Sequence, residues 1–137
     1  MLAKDTRVLL VDDMKTMRKL VEAELRTMDY QNFTHCGSGK EAFDKIQEAA
    51  TNLEPFHIIF CDWNMDNGTG IDLLRQVRQS PLFGKTPFVM ITAKTEEADI
   101  NEAFNSGVDA YIKKPFQQHS IPAIIGRLYA KGRLGSS

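Results

Sequence analysis

Three carboxylates, a hydroxyl and an amine follow or close apolar runs in this chain. Asp12 and Asp13 follow Val8-Leu9-Leu10-Val11, and Asp62 follows Ile58-Ile59-Phe60-Cys61; Thr92 closes Phe88-Val89-Met90-Ile91, and Lys114 lies just beyond Ala110-Tyr111-Ile112. Three carboxylates gathered in one crevice repel one another and resist ionising unless positive charge is near. A hard divalent cation resolves this, and Mg²⁺, which takes one or two carboxylates plus waters and phosphate oxygens, suits the set better than a soft metal. With the cation held by Asp12, Asp13 and one oxygen of Asp62, the other Asp62 oxygen can attack phosphorus and form an acyl phosphate. The cation and the Lys114 ammonium would stabilise charge on the phosphoryl oxygens, and the Thr92 hydroxyl could donate one more hydrogen bond. Water attacking the same phosphorus would reset the protein. Each residue also has a plain structural use: Asp13 is well placed to cap the helix that follows, Thr92 suits a strand, and Lys114 suits a surface. Five such placements at one edge are hard to obtain from caps and solvation alone.

The elements that would position these groups alternate. Apolar runs read as strands at Arg7–Val11, His57–Cys61, Phe88–Thr92 and Ala110–Ile112, and Asn32–Cys36 reads as a short, weaker strand. Short continuous apolar runs bounded by turn residues are typical of strands covered on both faces. Between them, helical spacing marks inward stripes: Met17, Leu20, Val21, Leu25 and Met28; Ala42, Phe43, Ile46, Ala49 and Ala50; Leu73, Leu74 and Val77; Ile100, Ala103 and Phe104; Ile121, Ile124, Ile125 and Leu128. Ser38 and Glu41 have capping-box spacing, Ser106-Gly107 stops the fourth helix, and Pro122 is tolerable because it lies in a first turn. Five strand–helix repeats call for right-handed crossovers and a parallel sheet with helices on both faces. The expected architecture is a doubly wound, flavodoxin-like (βα)5 single domain with strand order 2-1-3-4-5. Its switch point falls between the first and third strands, where ligands bind at the strands' carboxyl ends. The domain is expected over residues 1–131, with a flexible tail over 132–137.

Composition narrows the function classes. The 137 residues carry 17 Lys+Arg and 18 Asp+Glu, a net charge of −1 without the global basic field of a nucleic-acid binder. Beyond Asp109 there are five cations and no acid, so the first 109 residues carry −6. Cys36 and Cys61 form no CxxC pair and read as small buried hydrophobes in a reducing compartment. His35, His57 and His119 lack metal-ligand spacing and are expected to be incidental. No apolar run approaches the roughly 18 residues of a membrane span, so a soluble, cytoplasmic protein is expected.

Val11-Asp12-Asp13, Asp62-Trp63-Asn64-Met65 with Gly70 eight positions beyond Asp62, Thr92-Ala93 and Lys114-Pro115-Phe116 together carry a family resemblance. The chain resembles, end to end, a response-regulator receiver domain of two-component signalling. Asp-Trp-Asn-Met and Thr16-Met17-Arg18-Lys19-Leu20-Val21 bring it close to the single-domain chemotaxis type. The resemblance implies that Asp62 accepts phosphate from a phosphohistidine of a sensor histidine kinase or phosphotransfer protein. It implies that Asp13 and Asp62 ligate Mg²⁺ directly, that Asp12 assists largely through water, and that the backbone carbonyl of Asn64 is a further ligand. It also implies that phosphorylation draws Thr92 inward and lets Tyr111 fill the vacated space, remodelling the face made by the fourth helix, fifth strand and fifth helix. The family usually has proline where this chain has Asp66, which frees the loop beside the cation and adds a carboxylate. Asp66, Asn64 and Lys94 bear on the rate at which water removes the phosphoryl group.

With no output domain in these residues, the signal is expected to leave by binding, from a monomer, to a target such as a flagellar motor switch protein, a phosphotransfer domain or a phosphatase. Glu96, Glu97, Asp99 and Glu102 on the fourth helix, beside Arg127 and Lys131 on the fifth, give that face a charge pattern a partner could read. A phosphorelay intermediate and a non-phosphorylated docking scaffold are the alternatives, and no turnover of a separate substrate is expected. A haloacid-dehalogenase-type phosphatase expects Asp-x-Asp after its first strand, where this chain has Asp12-Asp13-Met14. A nucleotide-binding module expects a glycine-rich loop there, and Asp-Asp-Met-Lys-Thr lacks the glycines.

Overall fold

A computed structural model describes residues 2–65 and 68–134. After a 3₁₀ turn, Ala3–Asp5, the chain runs β1 (Arg7–Val11), α1 (Lys15–Arg26), β2 (Asn32–Cys36), α2 (Gly39–Thr51), β3 (Ile58–Cys61), α3 (Gly70–Arg78), β4 (Phe88–Thr92), α4 (Glu97–Asn105), β5 (Ala110–Lys113) and α5 (Ser120–Ala130). All strand pairs are parallel and the sheet order is β2-β1-β3-β4-β5, the expected one.

The unbroken apolar strands follow from two cores, one on each face of the sheet. Side chains alternate along a strand. Leu9 and Val11 of β1, Ile59 and Cys61 of β3, and Phe88 and Met90 of β4 therefore pack on one side with Ala42, Ile46, Leu73, Leu74 and Val77 of α2 and α3. Val8 and Leu10, Ile58 and Phe60, and Val89 and Ile91 pack on the other with Val21 and Leu25 of α1 and Ile121, Ile125 and Leu128 of α5.

Two residues expected to point inward do not: Leu20 of α1 is 55% exposed and Phe104 of α4 is 49% exposed. Each lies at the edge of its stripe, where a neighbour one position away takes the core-facing place. Asp13 does not cap α1 either. Met14 is the N-cap residue, with no side-chain cap, and Asp12 Oδ1 instead accepts the Met14 N–H at 2.9 Å. Ser38 does cap α2, accepting the Glu41 N–H, while Glu41 returns a bond to Gly37 N–H, one residue before the N-cap. Gly107, at φ +100°, ends α4 in a conformation that L side chains rarely adopt.

The chain remains packed through Leu134, three residues into the segment expected to be flexible. Gly132 turns in the left-handed region, Arg133 N–H and Leu134 N–H both donate to Leu128 O, and Leu134 is buried in the α1–α5 core. Arg133 also donates to both carboxylate oxygens of Asp109. The expected tail positions 135–137 lie outside the described residues.

Candidate phosphoacceptor and cation site

Three of the expected site residues occupy the next rung of the sheet ladder beyond a strand end. Asp12 N–H donates to Cys36 O at 3.1 Å, Asp62 N–H to Val11 O at 2.9 Å, and Lys114 N–H to Thr92 O at 2.9 Å. Parallel pairing of Val11 with Cys61 sets Asp12 and Asp62 side by side, and pairing of Thr92 with Lys113 sets Lys114 just past Thr92, the residue expected to switch. The sheet register thus fixes the backbone of the site before any side chain is considered. Gly70 tightens the far wall: a Cβ there would lie 2.0 Å from Asp62 O, so only glycine lets α3 begin against the end of β3.

Ligand atoms of Asp12, Asp13 and Asp62 all lie within 4.8 Å of one another. Asp12 and Asp62 are buried and Asp13 is exposed at the rim. Lys114 Nζ donates to Asp12 Oδ2 at 2.9 Å and lies 3.2 Å from Asp62 Oδ2. Burial alone would lower the Lys114 pKa, but the hydrogen bond to Asp12 and the charges of Asp62 and Asp12 outweigh it and hold the ammonium above the usual lysine value. One ammonium against three carboxylates leaves an anionic pocket lined by oxygen donors, which fits a hard divalent cation and not a soft one. Asp62 Oδ1 accepts the Trp63 N–H at 2.7 Å, so both oxygens of this carboxylate are oriented.

The expected switch pair also meets a common residue. Thr92 is fully buried, and its Oγ1 accepts the Lys94 N–H at 3.3 Å; the Tyr111 hydroxyl donates to Lys94 O at 2.7 Å. Burial, with the charges of Asp99 and Asp62 adding to it, pushes the Tyr111 phenol up to about 12, so it remains a neutral donor at physiological pH. The Lys94 ammonium lies 5.1 Å above the Trp63 ring centre and 3.9 Å from Asp99. Trp63 is buried and Asn64, immediately after it, is exposed. Asp66, the departure at the loop beside the cation site, lies outside the described residues.

Sequence reasoning overlooked one wall of this site. Arg18 of α1 donates from Nη1 to the backbone carbonyl of Asp12 and from Nε to His35 Nδ1 at 3.2 Å, and His35 Nε2 lies 2.6 Å from Glu22 Oε1. His35 is therefore not incidental. Nor is His57, whose Nδ1 accepts the Arg7 N–H at 2.8 Å beside β3. A signal existed in the four-residue spacing of Arg18, Glu22 and Arg26, one polar stripe along α1. The two cysteines match the expectation of buried thiols. Burial first, then the Glu41 charge, pushes Cys36 up to about 12; burial likewise raises Cys61, so neither is a reactive thiolate at neutral pH.

The sheet order and the carboxylates facing an ammonium at its carboxyl edge define an α/β domain with its ligand site at the topological switch point. Residues 8–126 match the response regulator receiver domain, and the chain belongs to that family. It is 32% identical over 130 residues to the chemotaxis protein CheY-3 of Vibrio cholerae, covering 95% of this chain and 96% of that protein. Over 125 residues it is 32% identical to the chemotaxis protein CheY of Pseudomonas aeruginosa, covering 91% and 97%. Among solved structures, the chemotaxis protein CheY4 of Vibrio cholerae superposes with a TM-score of 0.78 at 29% identity, over 89% of this chain and 97% of that one. Receiver domains are phosphoacceptor switches and not turnover enzymes, so phosphorylation-dependent signalling is the function at this level. Among the described residues no helix is long and apolar enough to cross a membrane.

Proposed function

We propose that this receiver takes a phosphoryl group on Asp62 from the phosphohistidine of a sensor histidine kinase or phosphotransfer protein, and passes the signal to a chemotaxis or flagellar motor target. The observation that carries the reading is the meeting of the Asp12, Asp13 and Asp62 carboxylates within 4.8 Å, with Lys114 bridging two of them. The similarity to chemotaxis proteins along nearly the whole chain supports the choice of pathway. The protein acts as a cytoplasmic monomer whose receiver domain runs to about residue 134, and it carries the signal by binding, without nucleic acid or membrane.

In this reading Asp12, Asp13, Asp62 and the backbone carbonyl of Asn64 hold Mg²⁺, which when bound neutralises charge on the phosphoryl oxygens. An Asp62 oxygen attacks phosphorus; the new O–P bond forms as the N–P bond to the donor imidazole breaks, and the electron pair returns to that nitrogen, which takes a proton from solvent. Lys114 exchanges its Asp62 contact for a phosphoryl oxygen. Thr92 gives up the Lys94 N–H and donates its hydroxyl proton to the same group. That movement loosens the Lys94 segment, to which Tyr111 is tied, and so reaches the surface of α4, β5 and α5. Hydrolysis of the acyl phosphate, assisted by a phosphatase where one is present, returns the resting state.

Trp63 is the only tryptophan and adjoins Asp62, so its fluorescence reports on the site. A saturable response to Mg²⁺, a second change on adding a small phosphoryl donor, and an added phosphate by intact mass are expected, the last two absent in Asp62→Asn. A mass unchanged by the donor would remove the switch reading and leave a docking scaffold in its place.

A further inference from the structure

We infer that Arg18 is a positioning residue for the acidic site, locked in place by His35 and Glu22. The inference rests on the function proposed above, because its consequence is read through cation binding and phosphorylation at Asp62.

The loop between β1 and α1 must hold two acids, Asp12 and Asp13, in a fixed arrangement. Asp12 is held at its amide by Cys36 O, at Oδ1 by Met14 N–H and at Oδ2 by Lys114. Its carbonyl is the remaining main-chain handle, and Arg18 Nη1 takes it. A long arginine can hold one carbonyl only if the rest of its fork is also fixed, since the side chain otherwise has many rotamers. That restraint comes from His35 on β2. Arg18 Nε is always a donor, so His35 Nδ1 must be the acceptor at 3.2 Å. The neutral ring then carries its proton on Nε2, where it donates to Glu22 Oε1 at 2.6 Å. Glu22 is fixed in turn by Arg26 at 2.9 Å. The chain Arg26–Glu22–His35–Arg18 thus ends on the peptide that joins Asp12 to Asp13, and it spans the first helix and the edge strand.

The reading has a sign that separates it from simple electrostatics. Arg18 is a cation beside a cation site, so by charge alone its removal would tighten Mg²⁺ binding. Removal of a positioning group loosens the acid pair and weakens binding. The readout is Mg²⁺ affinity from Trp63 fluorescence and the phosphorylation rate with a small acyl phosphate donor, on the full chain, with thermal unfolding followed alongside. Arg18→Met is expected to weaken Mg²⁺ binding about 10-fold and to slow phosphorylation at least as much, the lower end of the roughly 10- to 100-fold seen when a partner that orients metal ligands is lost. His35→Leu is expected to follow it. His35→Gln, whose amide offers both an acceptor to Arg18 and a donor to Glu22, is expected to restore most of what His35→Leu loses. Should Arg18→Met fail to fold, Arg18→Lys takes its place, since one ammonium on a shorter stem cannot hold both the Asp12 carbonyl and His35. Unchanged or tighter Mg²⁺ binding in the Arg18 variant, or a His35→Leu protein indistinguishable from wild type, overturns the inference. Wild-type protein that fails to respond to Mg²⁺ and donor would instead overturn the proposed function.

Discussion

At the scale of single residues, Lys114 has two duties that pull in opposite directions. It neutralises Asp12 and Asp62 where no cation is bound, and in the proposed reaction it meets the incoming phosphoryl group. A Lys114→Met variant removes a charge that competes with Mg²⁺, so the cation is expected to bind about 3- to 10-fold more tightly. The same variant loses a donor aimed at developing charge, and phosphorylation is expected to slow about 100-fold. Fluorescence titration and rapid-mixing kinetics on one sample check both. Affinity and rate falling together would mean that Lys114 acts mainly as a structural prop.

At the scale of elements, the amino-terminal ends of β4 and β5 are tied by a knot with no part in the site. Arg78 of α3 donates to Gly107 O, Gly84 O, Thr86 O and Asp109 Oδ2, and Asp109 also accepts Phe88 N–H and Arg133. Both side chains of the Arg78–Asp109 pair are largely buried, whereas Arg75 and Glu102, paired between α3 and α4, are nearly half exposed. Asp109→Ala strands a desolvated guanidinium and is expected to cost about 3 kcal/mol, while Glu102→Ala is expected to cost less than about 1 kcal/mol. Urea unfolding of the two variants makes the comparison. Glu102 is thus partly engaged within the molecule, which leaves fewer free acids on α4 than its composition suggests. β1, β3 and β4 were legible because a two-sided core makes each a nearly unbroken apolar run, whereas the edge strand β2, Asn-Phe-Thr-His-Cys, gave a weaker signal, and the candidate site was legible because Asp12 and Asp62 stand one residue past two such runs. The knot and the Arg18 wall were not, because long polar side chains choose partners across the fold and leave no periodic trace. Leu20 and Phe104 misled for the converse reason: an apolar residue at a stripe's edge matches the helical spacing without being buried.

At the scale of the whole molecule, His57 couples stability to pH. Burial first, then the nearby Arg7 charge, lowers its pKa below 6.5. With Nδ1 accepting from Arg7 N–H at 2.8 Å, protonation of the ring would set a second donor against that N–H and lose the bond, which adds to its cost. Above about pH 6.5 the ring is neutral in both folded and unfolded chains and its contribution is complete. As pH falls below that value the unfolded chain takes up a proton that the native ring resists, so stability falls until the native pKa is passed. His57→Gln keeps an acceptor for Arg7 without titrating. Its thermal midpoint is expected to decline less than that of wild type between about pH 6.5 and pH 5, and parallel profiles would remove His57 as the cause.

The sheet register set Asp12 and Asp62 in place by counting residues, and this makes the molecule a ruler that tolerates substitution but not slippage. One residue added within β1 or β3 would turn the acid after it toward the opposite layer. The other edge is under no such constraint. The turn after α2 carries Leu53 at 87% exposure, and the turn after α3 carries Leu82 at 76%; both lead into the amino-terminal ends of strands, away from the acids. A short reporter peptide spliced after Leu53 is therefore expected to leave Mg²⁺ binding within about 2-fold of wild type, whereas a single alanine inserted between Phe60 and Cys61 abolishes it. For anyone building a sensor from this domain, the permissive address is the face that the chemistry never sees.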